Sequence, residues 1–390
     1  MHSIRSRFIS LLSVALVAPM LASCATRTAS RLPENIAPSA LLPAAQGGIV
    51  DGRARFREIF KEVLSARSPK LPTGVPYDDS TALWKLSGEP PATGKPVSLG
   101  PSKGDLRIVI VPGLLAECVA NISTAFGDAR QQLEEIGYET DYIQTKGRRG
   151  SAGNADLIRD AVMGMPTGQR LIFVTHSKGT VDTLEALVKY PSIAEQTAAV
   201  ISFSGAVNGS PLADAFPDLL FRLAHEIPLS SCSPGEGMEA VESLRRNVRI
   251  SWLSTHQLPK NVRYYSLAAF ASRENTSRML RPFYDILAKT DPVNDSMVLC
   301  SDAIIPGSSL LGYPNADHWA VAMPVSRQKS PVFAALIDRN DYPRAALLEA
   351  ALRFVEEDLA GACVGSGLKP LPPLCAPYRR INGVQRLLYL

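Results

Sequence analysis

The chain has 390 residues, enough for one large domain or two modest ones. Apolar residues make up 46% and charged residues 20%, which fits a globular chain with a sizeable core and excludes a disordered or fibrous one. The net charge of +4, with several basic residues in the first 31 positions, gives no reason to expect a nucleic-acid partner.

At the N-terminus, Arg5 and Arg7 precede an apolar stretch, Phe8 to Met20, that is too short to span a bilayer comfortably. It ends in Leu21-Ala22-Ser23-Cys24, and small residues at that place mark a signal-peptide cleavage site. A cysteine directly after Leu-Ala-Ser resembles the lipobox of bacterial lipoproteins, where the cysteine is acylated and becomes the first mature residue. The alternative is a plain secretory signal with a chance cysteine. The expected division is a lipoprotein signal peptide over 1–24, lipidation at Cys24, and a flexible Ala-, Pro- and Ser-rich tether over 25–50. Ala25 rather than Asp after the cysteine is similar to the outer-membrane default of Gram-negative lipoproteins. The resemblance implies an exported protein held to the cell envelope by lipid, at the outer membrane, facing the periplasm or the cell surface.

Export implies an oxidising compartment. Beyond Cys24 there remain Cys118, Cys232, Cys300, Cys363 and Cys375, an odd number that cannot all pair within the chain. Cys363 with Cys375, closing a short Pro-rich loop, is the first candidate bridge. Cys232 with Cys300 is the second and would leave Cys118 free. No Cys/His spacing suggests a metal site, and nothing calls for a cofactor.

Residues 51–66 follow a helical stripe, Phe56, Ile59, Phe60, Val63 and Leu64, with Asp51 as candidate N-cap. Residues 67–103 are Pro- and Gly-rich and read as irregular, so 51–103 is expected to be a helix followed by an irregular segment. From 104 to the end, short apolar runs alternate with helical stretches, the pattern of a mainly parallel sheet flanked by helices. Predicted strands are Leu106–Val111, Tyr138–Gln144, Leu171–Val174, Ala198–Ser202 and Val262–Leu267. Predicted helices are about 119–136, Asn154–Met163, Gly179–Lys189 and Arg344–Leu359. A small helical insertion lies between the late strands. Its part 212–260, with apolar Ala215 to Phe221, is a candidate lid or an ordinary core-packed helix.

Leu171 to Val174 runs into Thr175-His176-Ser177-Lys178-Gly179, and a helix begins at once. A hydroxyl is a weak nucleophile until a base takes its proton, and a sharp strand-to-helix turn lifts it to where a base can reach. Thr175 replaces the first Gly of the usual G-x-S-x-G pattern, and Thr-x-Ser-x-Gly alone is common by chance. Val111-Pro112-Gly113-Leu114 ends an early strand and can present the N–H of Leu114, or of Leu115, to an oxyanion; the N–H of Lys178 is the second donor. The orienting carboxylate is Asp295 in preference to Asp291, with Asp302 and Asp317 behind them. Of five histidines, only His318 lies in a loop downstream of such an acid. His176 is expected to point away from the site, and Lys178 and the run Lys146-Gly147-Arg148-Arg149 to be solvated.

With Asn208-Gly209-Ser210-Pro211-Leu212-Ala213-Asp214, these motifs resemble the lipase and esterase branch of the α/β-hydrolase superfamily over about residues 104–360. The order Ser177, Asp295, His318 is the order that fold uses. The resemblance implies cleavage of a small-molecule or lipid ester through an acyl-enzyme on Ser177, with activity falling below about pH 6–7 as imidazole protonates. A phospholipase, thioesterase or acyltransferase shares the acyl-enzyme step. A non-catalytic envelope binding protein is the alternative outside enzymes.

Overall fold

The structure, a computed structural model, describes residues 48–365 except 68–77, 87, 103, 115, 122, 216–237 and 326–330. The expected signal peptide, Cys24, nearly all of the tether, Leu115, and the apolar run Phe216 to Phe221 lie outside the described residues.

The strands are β1 (Val50–Asp51), β2 (Leu83–Trp84), β3 (Leu106–Val111), β4 (Glu139–Tyr142), β5 (Arg170–His176), β6 (Thr197–Phe203), β7 (Arg263–Leu267) and β8 (Ser309–Pro314). They form a sheet in the order β1-β8-β7-β6-β5-β3-β4, with every neighbouring pair parallel, and β2 adds antiparallel to β8. Both faces are covered, as a parallel sheet requires. The pleat therefore sends alternate residues into two cores. Ile108, Ile110, Ile172 and Val174 join Phe56, Phe60, Leu348 and Leu352 on one side. Val109, Val111, Leu171 and Phe173 meet Ile158, Leu184 and Leu187 on the other. The chain leaves β3 for the edge strand β4 and returns to β5 on the far side of β3. The crevice beyond the ends of β3 and β5 is thus a topological switch point, where open α/β sheets bind ligands.

The N-terminal segment is stitched into this body. Asp51 accepts the Arg53 N–H at 3.2 Å and caps helix Arg53–Arg67 from one residue further out than a standard N-cap. Phe56, Ile59, Phe60 and Val63 are buried, each worth about 1.5–3 kcal/mol. Fully buried Glu349 takes Arg67 at 2.9 Å and Arg353 at 2.8 Å, tying this helix to the C-terminal helix Arg344–Gly365.

Three expectations fail against the fold. The helix over 119–136 is broken into Ala116–Val119 and Arg130–Ile136. Between them Phe126 adopts φ 54°, its N–H donating to the Ala322 carbonyl at 2.7 Å and its ring packing edge-on to Phe203, so tertiary contacts override the helical periodicity. Strand β8 is not among the predicted strands because Gly312 and Pro314 mask its apolar run. Cys300 is a free thiol buried behind β7, its Sγ directed at the Ala268 carbonyl, so it does not pair with Cys232, and Cys118 is not the free cysteine. The pairing of Cys363 with Cys375 lies outside the described residues. Among the described residues no helix is long and apolar enough to cross a membrane.

Candidate active site

Ser177 follows β5 and precedes helix Lys178–Lys189 with φ 55° and ψ −127°, a strained conformation for a residue with a side chain, costing on the order of 1–3 kcal/mol. The surroundings hold it there. The Ser177 N–H donates to Phe203 O at 3.3 Å, and its carbonyl accepts from Thr180 and Ala206 at 3.1 and 3.2 Å. A Cβ on Gly179 would lie 2.3 Å from the Pro112 carbonyl oxygen, so the helix can approach the β3 loop only with glycine there. A Cβ on Gly113 would lie 2.7 Å from Ser177 Cβ, which shows how closely the β3 loop abuts the serine. Thr175, in place of the usual first glycine, fits because its buried hydroxyl lies 2.8 Å from that of Thr180 and donates to Ile201 O at 3.1 Å.

Asp295 and His318 arrive on loops, between β7 and β8 and after β8, and are 1% and 3% exposed. The Ser177 hydroxyl lies 2.8 Å from His318 Nε2, and His318 Nδ1 lies 2.7 Å from Asp295 Oδ2. The carboxylate can only accept, so Nδ1 carries the proton and Nε2 is left as the base. Asp295 Oδ1 accepts from the Met297 and Val298 N–H groups at 2.9 and 2.7 Å, and the His318 N–H donates to Asp295 O at 2.8 Å. The acid thus grips both the ring and the backbone of the histidine. The Ser210 hydroxyl donates to Met297 O at 2.5 Å, so the Gly-Ser-Pro-Leu stretch props the acid loop.

The other acids are occupied elsewhere. Asp291 Oδ1 accepts the Val293 N–H, and Asp302 pairs with Arg246 at 3.0 Å. Asp317 accepts N–H groups from Ser277, Trp319 and Ala320; burial raises its pKa, against those hydrogen bonds. Of the expected oxyanion donors, Lys178 is the first residue of its helix, where the N–H has no intrahelical acceptor. The Leu114 N–H makes no hydrogen bond among the described residues, and Leu114 lines the same cavity as Ser177 and His318.

Three side chains depart from expectation. Lys178 is not solvated: its Nζ is fully buried and paired with Asp182 Oδ1 at 2.6 Å, while Asp182 Oδ2 accepts from Asn154 at 2.7 Å. The i, i+4 spacing of Lys178 and Asp182 was the sequence signal for this pair. Arg148 is likewise buried. His176 does not point away. Its Nε2–H donates to the His318 carbonyl at 2.8 Å and its ring lies 4.7 Å from the His318 ring. Burial, with the neighbouring His318 adding to it, lowers the His176 pKa well below the ordinary 6.5, against the effect of the bond to His318 O. Nothing in the sequence marks this role, because the partner carbonyl is 142 positions away.

The cavity over Ser177 is mainly apolar, with Leu114, Val119, Leu244, Met297, Trp319 and Met323 among its walls. Leu244 comes from the insertion over 212–260. Among the described residues no cluster of His, Cys, Asp or Glu could hold a metal ion.

No protein-family model matches the chain, and no curated protein matches it. Among solved structures, it is similar to the metagenomic carboxyl esterase MGS0156, with 56% identity over 83% of this chain and 97% of that one, at a TM-score of 0.77. It is also similar to the mature form of the Bacillus licheniformis lipase BlEst2, with 23% identity over 58% of this chain and 89% of that one, at a TM-score of 0.45. At 56% identity over 83% of its length, spanning nearly all of MGS0156, the chain belongs to the same family, that of carboxyl esterases of the α/β-hydrolase type.

Proposed function

We propose that the protein hydrolyses carboxylic esters through an acyl-enzyme on Ser177. The observation that carries this reading is the unbroken line of 2.8 and 2.7 Å contacts from Ser177 through His318 to Asp295. His318 Nε2 takes the hydroxyl proton as Ser177 Oγ attacks the carbonyl carbon. The oxyanion accepts hydrogen bonds from the N–H groups of Leu114 and Lys178, and Asp295 holds the imidazolium. The C–O bond to the alcohol breaks as His318 returns the proton to the leaving oxygen. Water, deprotonated by the same nitrogen, then releases the acid and frees Ser177. The apolar cavity suits small or lipid-like esters. A fluorophosphonate probe should label the wild type and not Ser177→Ala, and p-nitrophenyl esters of rising chain length should be cleaved with a defined optimum. An unlabelled, inactive wild type would sink the reading.

The same proposal includes export and lipid anchorage, supported by Leu21-Ala22-Ser23-Cys24. In a Gram-negative host, palmitate should label the wild type and not Cys24→Ala. Equal labelling of both would remove the anchor.

A further inference from the structure

Ser123 stands on the connection from helix Ala116–Val119 to the strained Phe126 and lines the same cavity as Ser177 and His318. It is 4% exposed, and its hydroxyl has no hydrogen-bond partner among the described residues. A buried serine after a helical turn commonly turns its hydroxyl back to the carbonyl four residues earlier. Here the Val119 carbonyl takes the Ser123 N–H at 2.8 Å and not the hydroxyl. Ala116, Val119, Trp319, Met323 and Val325, which line the same cavity, confront it with apolar surface. A buried hydroxyl with no partner is unfavourable, and alanine would fill the same space without that cost. Such an orphan donor in a binding cavity is satisfied when the ligand supplies the acceptor.

We propose that Ser123 is a specificity-determining residue that donates a hydrogen bond to an oxygen in the substrate chain occupying this cavity. The preferred substrates are then esters carrying an ether, keto or hydroxyl oxygen along an otherwise apolar chain, not plain alkyl esters. This rests on the esterase reading above and names its substrate class. Sites built to hydrogen-bond a substrate oxygen discriminate against analogues lacking it because their own polar group is left unpaired.

The test compares p-nitrophenyl alkanoates with esters of equal length in which one methylene, at successive positions, is replaced by oxygen. The readout is the ratio of kcat/KM for each oxygenated ester to its plain counterpart, in wild type and in Ser123→Ala. Taking the ratio between the two proteins cancels the intrinsic reactivity of each ester. At one chain position the ratio should fall about five- to thirtyfold in Ser123→Ala, while the variant melts at the same or a higher temperature. Ratios equal in the two proteins at every position would overturn the proposal, as would a variant that loses the ratio only together with its fold. Hydrolysis of neither series by the wild type would overturn the esterase reading itself, and this one with it.

Discussion

Ser177 sits on a turn whose neighbours leave it no room, whereas Asp295 and His318 sit on loops held by polar contacts. On the nucleophile side the constraint is steric: Ser177 presses on Gly113 and the carbonyls of Val111 and Pro112 press on Gly179, so a single added carbon would meet atoms at 2.7 or 2.3 Å. On the acid–base side it is a set of directed hydrogen bonds, from Met297 and Val298 to Asp295, from His318 to Asp295 O, and from His176 to His318 O. The first kind of constraint joins the Pro112-Gly113 loop to Ser177 and Gly179 and is rigid by exclusion. The second joins residues 23 and 142 positions apart and is only as firm as each donor and acceptor. The two halves should therefore fail differently.

The largest effect is expected on the polar side. His318→Ala should lower kcat on the order of 10⁴- to 10⁶-fold, and Asp295→Asn about 10⁴-fold by favouring the wrong tautomer, with KM little changed. Steady-state kinetics on a p-nitrophenyl ester would check this; losses under tenfold would break the account of the acid–base side.

Next comes the buried ion pair beneath the elbow, a polar element on the steric side. Asp182→Leu leaves the Lys178 ammonium buried without its carboxylate and should cost about 3–5 kcal/mol in denaturant unfolding. The double variant Lys178→Met, Asp182→Leu should recover most of it. A harmless single variant would show that sterics alone secure that side.

Gly113→Ala sharpens the steric half. Its new carbon must displace Ser177, so kcat should fall about 10²- to 10³-fold while the protein still unfolds cooperatively. An active-site titration showing full, fast labelling of this variant would contradict the close approach.

The smallest effect is a pH dependence of stability. His176 is buried neutral, and its folded pKa lies below the ordinary value of 6.5. The unfolded chain therefore binds more protons as pH falls below 6.5, and stability that is fully present above it is lost at up to about 1.4 kcal/mol per pH unit. Melting temperatures between pH 7 and 5 should fall less steeply in His176→Gln than in the wild type. Parallel slopes would mean that His176 is not the group that titrates.

How much was legible beforehand divides along the same line. The apolar runs of β3, β5 and β6 and the Thr-His-Ser-Lys-Gly turn are continuous in sequence, and so the parallel sheet and Ser177 can be read directly. Asp295 and His318 could be named from their chain order and loop setting, but nothing in the sequence states that they touch. Strand β8, which delivers His318, was hidden by Gly312 and Pro314, and the helix over 119–136 looked whole because the contact of Phe126 with Phe203 and Ala322 is invisible to periodicity.

The layered α/β architecture, the nucleophile and its elbow follow from local sequence, because hydrophobic patterning and turn chemistry act over a few residues. Long-range packing alone makes Lys178 turn inward to Asp182, sets His176 against His318, lets Ser210 prop the acid loop and leaves Cys300 unpaired. A polar side chain goes where its partner is: for His176 and Ser210 that partner comes from a distant segment, and even the i, i+4 pair of Lys178 and Asp182 faces inward only because other elements pack over its helix.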